Sequence, residues 1–73
     1  MGQEIVEFPI GGKIISVNVK PGDTVEEGDT LCLLDSMKME NPILAPVKGT
    51  VAKIELSPEQ VVKTGDLVAV IEY

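Results

Sequence analysis

The sequence predicts an all-β fold, a flattened barrel or sandwich of two antiparallel sheets built from about eight short strands with a quasi-two-fold internal repeat. Three observations carry this. Turn-forming residues break the chain so often that no helix-length segment survives, the pieces between them are rich in Val, Ile and Leu, and the chain matches itself at a fixed offset.

The offset is 37 positions and runs without a gap from Pro9/Pro46 to Ser36/Tyr73. Six of these 28 pairs are identical: Pro9/Pro46, Gly12/Gly49, Pro21/Pro58, Val25/Val62, Gly28/Gly65 and Asp29/Asp66. Unrelated sequences of ordinary composition would give about two. Ile10/Val47, Ile14/Val51, Val17/Ile54, Leu33/Val70, Leu34/Ile71 and Asp35/Glu72 also pair conservatively. The halves therefore read as similar units related by an approximate two-fold axis.

Gly11-Gly12, Pro21-Gly22-Asp23 and Glu27-Gly28-Asp29 punctuate the first half, and Lys48-Gly49, Ser57-Pro58 and Thr64-Gly65-Asp66 the second. Between them the expected strands are Glu4 to Phe8, Lys13 to Val19, Thr30 to Ser36, Glu40 to Ala45, Thr50 to Leu56 and Leu67 to Glu72. Short extended pieces at Thr24-Val25 and Val61-Val62 complete the set. Ile15, Val17 and Val19 alternate with Ser16, Asn18 and Lys20, the mark of a strand with one buried face. Val17, Leu33, Ile54 and Val70 are the expected core residues.

Residues 1–73 have room for one domain, and a chain this short buries only about 60% of its unfolded surface. Cys32 is the only cysteine, so no internal disulfide supports the fold, and its place in Leu31-Cys32-Leu33-Leu34 marks it as a buried thiol. A net charge of −6 argues against nucleic acid as a partner, because phosphate binding needs clustered cations. With no histidine and no serine beside an activating group, the chain lacks the usual parts of acid–base or nucleophilic catalysis, and a metal site is not expected. No apolar run nears the roughly 20 residues that cross a bilayer, so direct membrane insertion is not expected and a cytoplasmic setting is.

One segment does not suit its place. A tight reversal must fall within Asp35-Ser36-Met37-Lys38-Met39-Glu40-Asn41-Pro42. Two-residue hairpins require positive φ and favour Asn-Gly or Asp-Gly, yet the midpoint offers only Met37, Lys38 and Met39. A local rule broken in a chain that otherwise obeys it marks a candidate functional site. Lys38 at a hairpin tip would project its ammonium into solvent with the two methionines as a soft apolar collar. The alternative is an ordinary solvated lysine, with the methionines filling gaps in the core.

At these residues the chain resembles the biotinyl domain family, the biotin carboxyl carrier proteins and carrier domains of biotin-dependent carboxylases. The family carries Met-Lys-Met at a hairpin tip, matched by Met37-Lys38-Met39 between the two repeats. Asp35, where the family usually has glutamate, Lys20 to Asp23, Thr24-Val25, Gly28, Ala45-Pro46 and Gly49 extend the resemblance over nearly the whole chain. Ser36 stands where alanine is usual, and Phe8-Pro9-Ile10-Gly11-Gly12 departs from the family's entry segment while keeping its proline and glycine. The short interval from Val19 to Thr24 leaves no room for the protrusion found in some bacterial acetyl-CoA carboxylase carriers.

The resemblance implies a carrier rather than an enzyme. Biotin protein ligase would activate biotin as an adenylate and join it to the Lys38 amine, with Met37 and Met39 as flanking recognition residues. The biotin would then move a carboxyl group between partner sites, a biotin carboxylase and a carboxyltransferase, or would serve a decarboxylase. Two alternatives stand beside this: a lipoyl carrier, whose tip usually reads Asp-Lys-Ala, and a non-acylated barrel-sandwich used only for protein contacts.

Overall fold

A computed structural model describes residues 2–73 and contains eight strands in two four-stranded antiparallel sheets. In chain order they are β1 Gln3–Glu7, β2 Gly12–Val17, β3 Thr24–Val25, β4 Thr30–Ser36, β5 Met39–Leu44, β6 Gly49–Lys53, β7 Val61–Val62 and β8 Leu67–Glu72. One sheet has the order β1-β8-β6-β3 and the other β5-β4-β2-β7. Each sheet thus takes strands from both halves of the sequence. Neither half can close its own sheet, so the halves fold as one intertwined body around one core.

Strand registers carry the two-fold relation residue by residue. Ile14 faces Leu34 in β2/β4 as Val51 faces Ile71 in β6/β8. In the edge pairs, Val6 faces Ala69 as Ile43 faces Cys32. Gly12 and Gly49 are equivalent in contact as well as number: a β-carbon would run into the Asp35 carbonyl oxygen at the first and that of Glu72 at the second. The relation also reaches beyond the span where sequence identity reveals it, because Gly2 exchanges backbone hydrogen bonds with Tyr73 where the other half pairs Met39 with Ser36.

The turns repeat too. The Glu26 N–H donates to Asp29 Oδ2 at 2.8 Å, and the Lys63 N–H to Asp66 Oδ2 at 2.8 Å. The Asp29 and Asp66 N–H groups donate back to the Glu26 and Lys63 carbonyl oxygens, closing β-turns in which Gly28 and Gly65 both have φ of 91°. That left-handed backbone suits glycine, which has no β-carbon to clash.

The core holds Phe8, Ile14, Val25, Leu31, Cys32, Leu34, Val51, Val68 and Ile71 in full burial. Each large aliphatic side chain removed from water contributes about 1.5–3 kcal/mol. Of the four core residues expected from sequence, Ile54 is buried, Val17 packs partly against the core, and Leu33 and Val70 are only half-buried. Their neighbours Leu34 and Ile71 point inward instead, since successive side chains in a strand face opposite ways.

The reason lies in irregularities of the ladder. In β4 and β8 the extra residues are Leu31 and Val68, where the register with β5 and β1 shifts. Leu31 and Cys32, and Val68 and Ala69, are therefore buried side by side, and the phase beyond them is reversed, turning Leu33 and Val70 away from the core. β2 and β6 are irregular as well. Register shifts between Ile14 and Ser16 and between Val51 and Lys53 insert one extra residue, Ile15 or Ala52, and a single insertion reverses the facing of the residues beyond it. Ile15 is consequently exposed rather than part of the buried alternation, while Val19 is partly buried. The strands also end earlier than expected at Val17 and Lys53, and begin at Gln3, Gly12, Met39 and Gly49.

Candidate functional site at the hairpin tip

β4 and β5 form a hairpin whose ladder runs Leu34↔Asn41, Asp35↔Glu40 and Ser36↔Met39. Met37 and Lys38 alone bridge the closing pair, with φ of 55° and 64°. Two consecutive left-handed residues in a two-residue loop make a turn whose twist matches that of the flanking strands. For residues with side chains, each such conformation costs about 1–2 kcal/mol relative to the right-handed form. The hairpin therefore holds two residues that local preference would not place there.

What holds them is below the tip. Leu34, four residues before Lys38, is fully buried and anchors β4 in the core. Asn41 Nδ2 donates to the Met39 carbonyl oxygen at 3.2 Å, tying β5 just beneath the turn. Lys13 lies across the sheet from Asp35 and pairs with Glu59 at 3.5 Å, both well exposed, so this ion pair contributes little.

The tip is convex and open. Met37 is 91% and Met39 65% exposed, which rules out a gap-filling role in the core for either. Lys38 is exposed, and among the described residues no carboxylate forms an ion pair with it. A surface depression of about 680 Å³ lies elsewhere, beside Gly2, Gln3, Thr50, Glu72 and Tyr73. An exposed amine on a rigid, convex support cannot enclose a ligand; it can present a nucleophile for another protein to reach.

Cys32 lies in the core, and burial pushes its thiol up to about 11. With little thiolate at neutral pH it is a packing residue, as the sequence implied. Sequence reasoning found the tip but missed a third non-glycine residue in left-handed backbone, Glu59, at φ 72°. The repeat held the signal: Glu59 is the counterpart of Gly22, which has φ of 95°.

Fold and tip together define a class: a small β-sandwich that presents one lysine at an exposed hairpin tip. The sequence profile of the family described as "Biotin-requiring enzyme" matches residues 4–71, and the chain belongs to this family. It is 47% identical over 68 residues to the "Biotinylated protein TB7.3 homolog" of Mycobacterium leprae, covering 93% of this chain and 96% of that protein. It is 48% identical over 58 residues to the "Biotin carboxyl carrier protein" of Streptococcus mutans, covering 80% of this chain and 45% of that one. Among solved structures, the urea carboxylase of Kluyveromyces lactis superposes with a TM-score of 0.90 at 33% identity, over 99% of this chain and 6% of the enzyme. The chain is thus about as long as one relative and a small part of others.

Proposed function

We propose that Lys38 is the biotinylation site of a biotin carboxyl carrier, and that the domain moves a carboxyl group between active sites of a carboxylase or decarboxylase. The observation that carries this is the strained, exposed turn: Met37 and Lys38 both adopt positive φ at a tip where glycine or asparagine would be the easier choice. The resemblance and the relatives' names point to biotin, and Met37 and Met39 differ from the flanks usual in a lipoyl carrier.

The tip fits a covalently attached group. Lys38 offers a primary amine clear of ion pairs, and the absence of a surrounding wall leaves the attached chain free to reach other proteins. Loading requires the amine to lose a proton and attack the acyl carbon of the biotin adenylate: the C–N bond forms, the acyl C–O bond to phosphate breaks, AMP leaves, and the resulting amide removes the charge of Lys38. When bound, biotin supplies a ureido nitrogen that takes up and releases a carboxyl group.

The domain supplies position. Leu34 and the Asn41 hydrogen bond fix the base of the tip, and Met37 and Met39 give a biotin protein ligase an apolar surface to recognise. A flexible tether on a rigid support raises the effective concentration of the carried group at both partner sites. The proposed setting is cytoplasmic, with the ligase and the carboxylase components as partners.

The test is loading by a biotin protein ligase with ATP, read by intact mass. One biotin is expected on the wild-type chain and none on Lys38→Arg, whose guanidinium is a poor nucleophile. Biotin on Lys13, Lys20, Lys48, Lys53 or Lys63 of that variant would sink the assignment.

A further inference from the structure

Met37 and Met39 differ chemically from the other described sulfur. Both thioethers stand in solvent, at 91% and 65% exposure, whereas the Cys32 sulfur is sealed in the core with its thiol pushed up to about 11. A peroxide reacts with accessible thioethers and with thiolates, so burial protects Cys32 and directs oxidation to the two residues that flank Lys38. An exposed leucine would offer a similar apolar surface. Methionine adds a sulfur that can be oxidised and restored.

Resting on the reading of Lys38 as the biotinylation site, we propose that Met37 and Met39 are a reversible modification site for hydroperoxides, and that their oxidation closes the tip to the ligase. A sulfur lone pair attacks one oxygen of hydrogen peroxide, the S–O bond forms and the O–O bond breaks. The departing oxygen takes up the proton released by the oxygen now bound to sulfur and leaves as water. Sulfur loses two electrons, peroxide gains them, and the product is a sulfoxide. In the reverse direction two thiols of a reductant become a disulfide and the oxygen leaves as water.

Oxidation changes recognition rather than the amine. Each sulfoxide puts a strong polar group and a new stereocentre on a side chain that had presented apolar surface. Seating it against an apolar partner without a hydrogen-bond donor carries a desolvation cost. The backbone of the turn and the Lys38 amine are untouched. Met37, the more exposed of the two, is the first to react.

The experiment treats the unbiotinylated chain with hydrogen peroxide, maps oxygen by peptide mass spectrometry and measures the rate of loading by ligase, biotin and ATP. Expected are oxygen on Met37 before Met39, loading slowed about tenfold or more, and recovery after methionine sulfoxide reductase with a dithiol. Labelling of Lys38 by a small amine-reactive ester should not change. The variant M37L/M39L should load at its own lower rate, with or without peroxide. The proposal alone is overturned by oxidised protein that loads at the untreated rate, or by equal peroxide sensitivity in M37L/M39L. It is also overturned if the thioethers stay unoxidised at peroxide levels that convert free methionine. Untreated chain that takes no biotin overturns the biotinylation reading itself, and the proposal with it.

Discussion

The tip at Ser36–Met39 and the pairing of Gly2 with Tyr73 are the same place in the two halves, yet they are built for different ends. At the chain ends the Tyr73 ring lies so close over Gly2 that a β-carbon there would collide with it. At the tip the corresponding residues are the small Ser36 and the long, exposed Met39, joined by two residues in left-handed backbone. One ladder end is covered by an aromatic ring and the other is left open around an amine. The symmetric scaffold supplies the position, and Met37, Lys38 and Met39 supply the proposed attachment point.

The comparison is broken most strongly from below. Leu34 and Leu33 are adjacent in β4, but only Leu34 reaches the core that supports the tip. Leu34→Ala is expected to lose about 2–5 kcal/mol of stability, and Leu33→Ala about 1 kcal/mol or less. Chemical denaturation measures both, and equal losses would show that the two faces of β4 are not distinct.

A smaller effect comes from the thiol beneath the hairpin. Its ordinary value is 9.0 and burial raises it to about 11, so the folded state resists ionisation that the unfolded chain accepts. The stability Cys32 contributes is therefore complete below pH 9 and is lost as pH rises through 11. Between those values the wild type should lose stability more steeply than Cys32→Ala. Parallel curves would contradict the buried thiol.

The smallest effect tests the second broken match of the repeat, Glu59 against Gly22. Glycine at 22 has open space around its α-carbon, and glycine at 59 would relieve the positive φ at the expense of an exposed ion pair with Lys13. Because glycine also adds freedom to the unfolded chain, Glu59→Gly should gain only about 0.5 kcal/mol. A thermal melt that falls by several degrees would show that Glu59 is held by contacts rather than strained.

Much of this was legible in the sequence, and the limits have physical causes. Glycine, proline and aspartate announce turns through their own backbone chemistry, so strand number and the repeat were readable. The tip was readable for the opposite reason, since Met37 and Lys38 do not suit the turn they form. The phase of the core was not. In Leu31-Cys32-Leu33-Leu34 every residue is apolar, so alternation cannot say which faces inward, and the extra residue at Leu31 shifts the register again. Ile15 misled in the same way, because a bulge depends on the partner strand and leaves no local signature.

The central claim is that the hairpin fixes which amine is chosen among the chain's six lysines, by place rather than by composition. Exchanging two neighbours, by Met37→Lys with Lys38→Met, keeps composition and moves the amine one position along the turn, where the side chain points another way. Loading by biotin protein ligase, followed by peptide mapping, is the direct measurement. The expected result is biotin on Lys38 of the wild type and nearly none on the exchanged chain; loading of the shifted lysine at the wild-type rate would contradict the account.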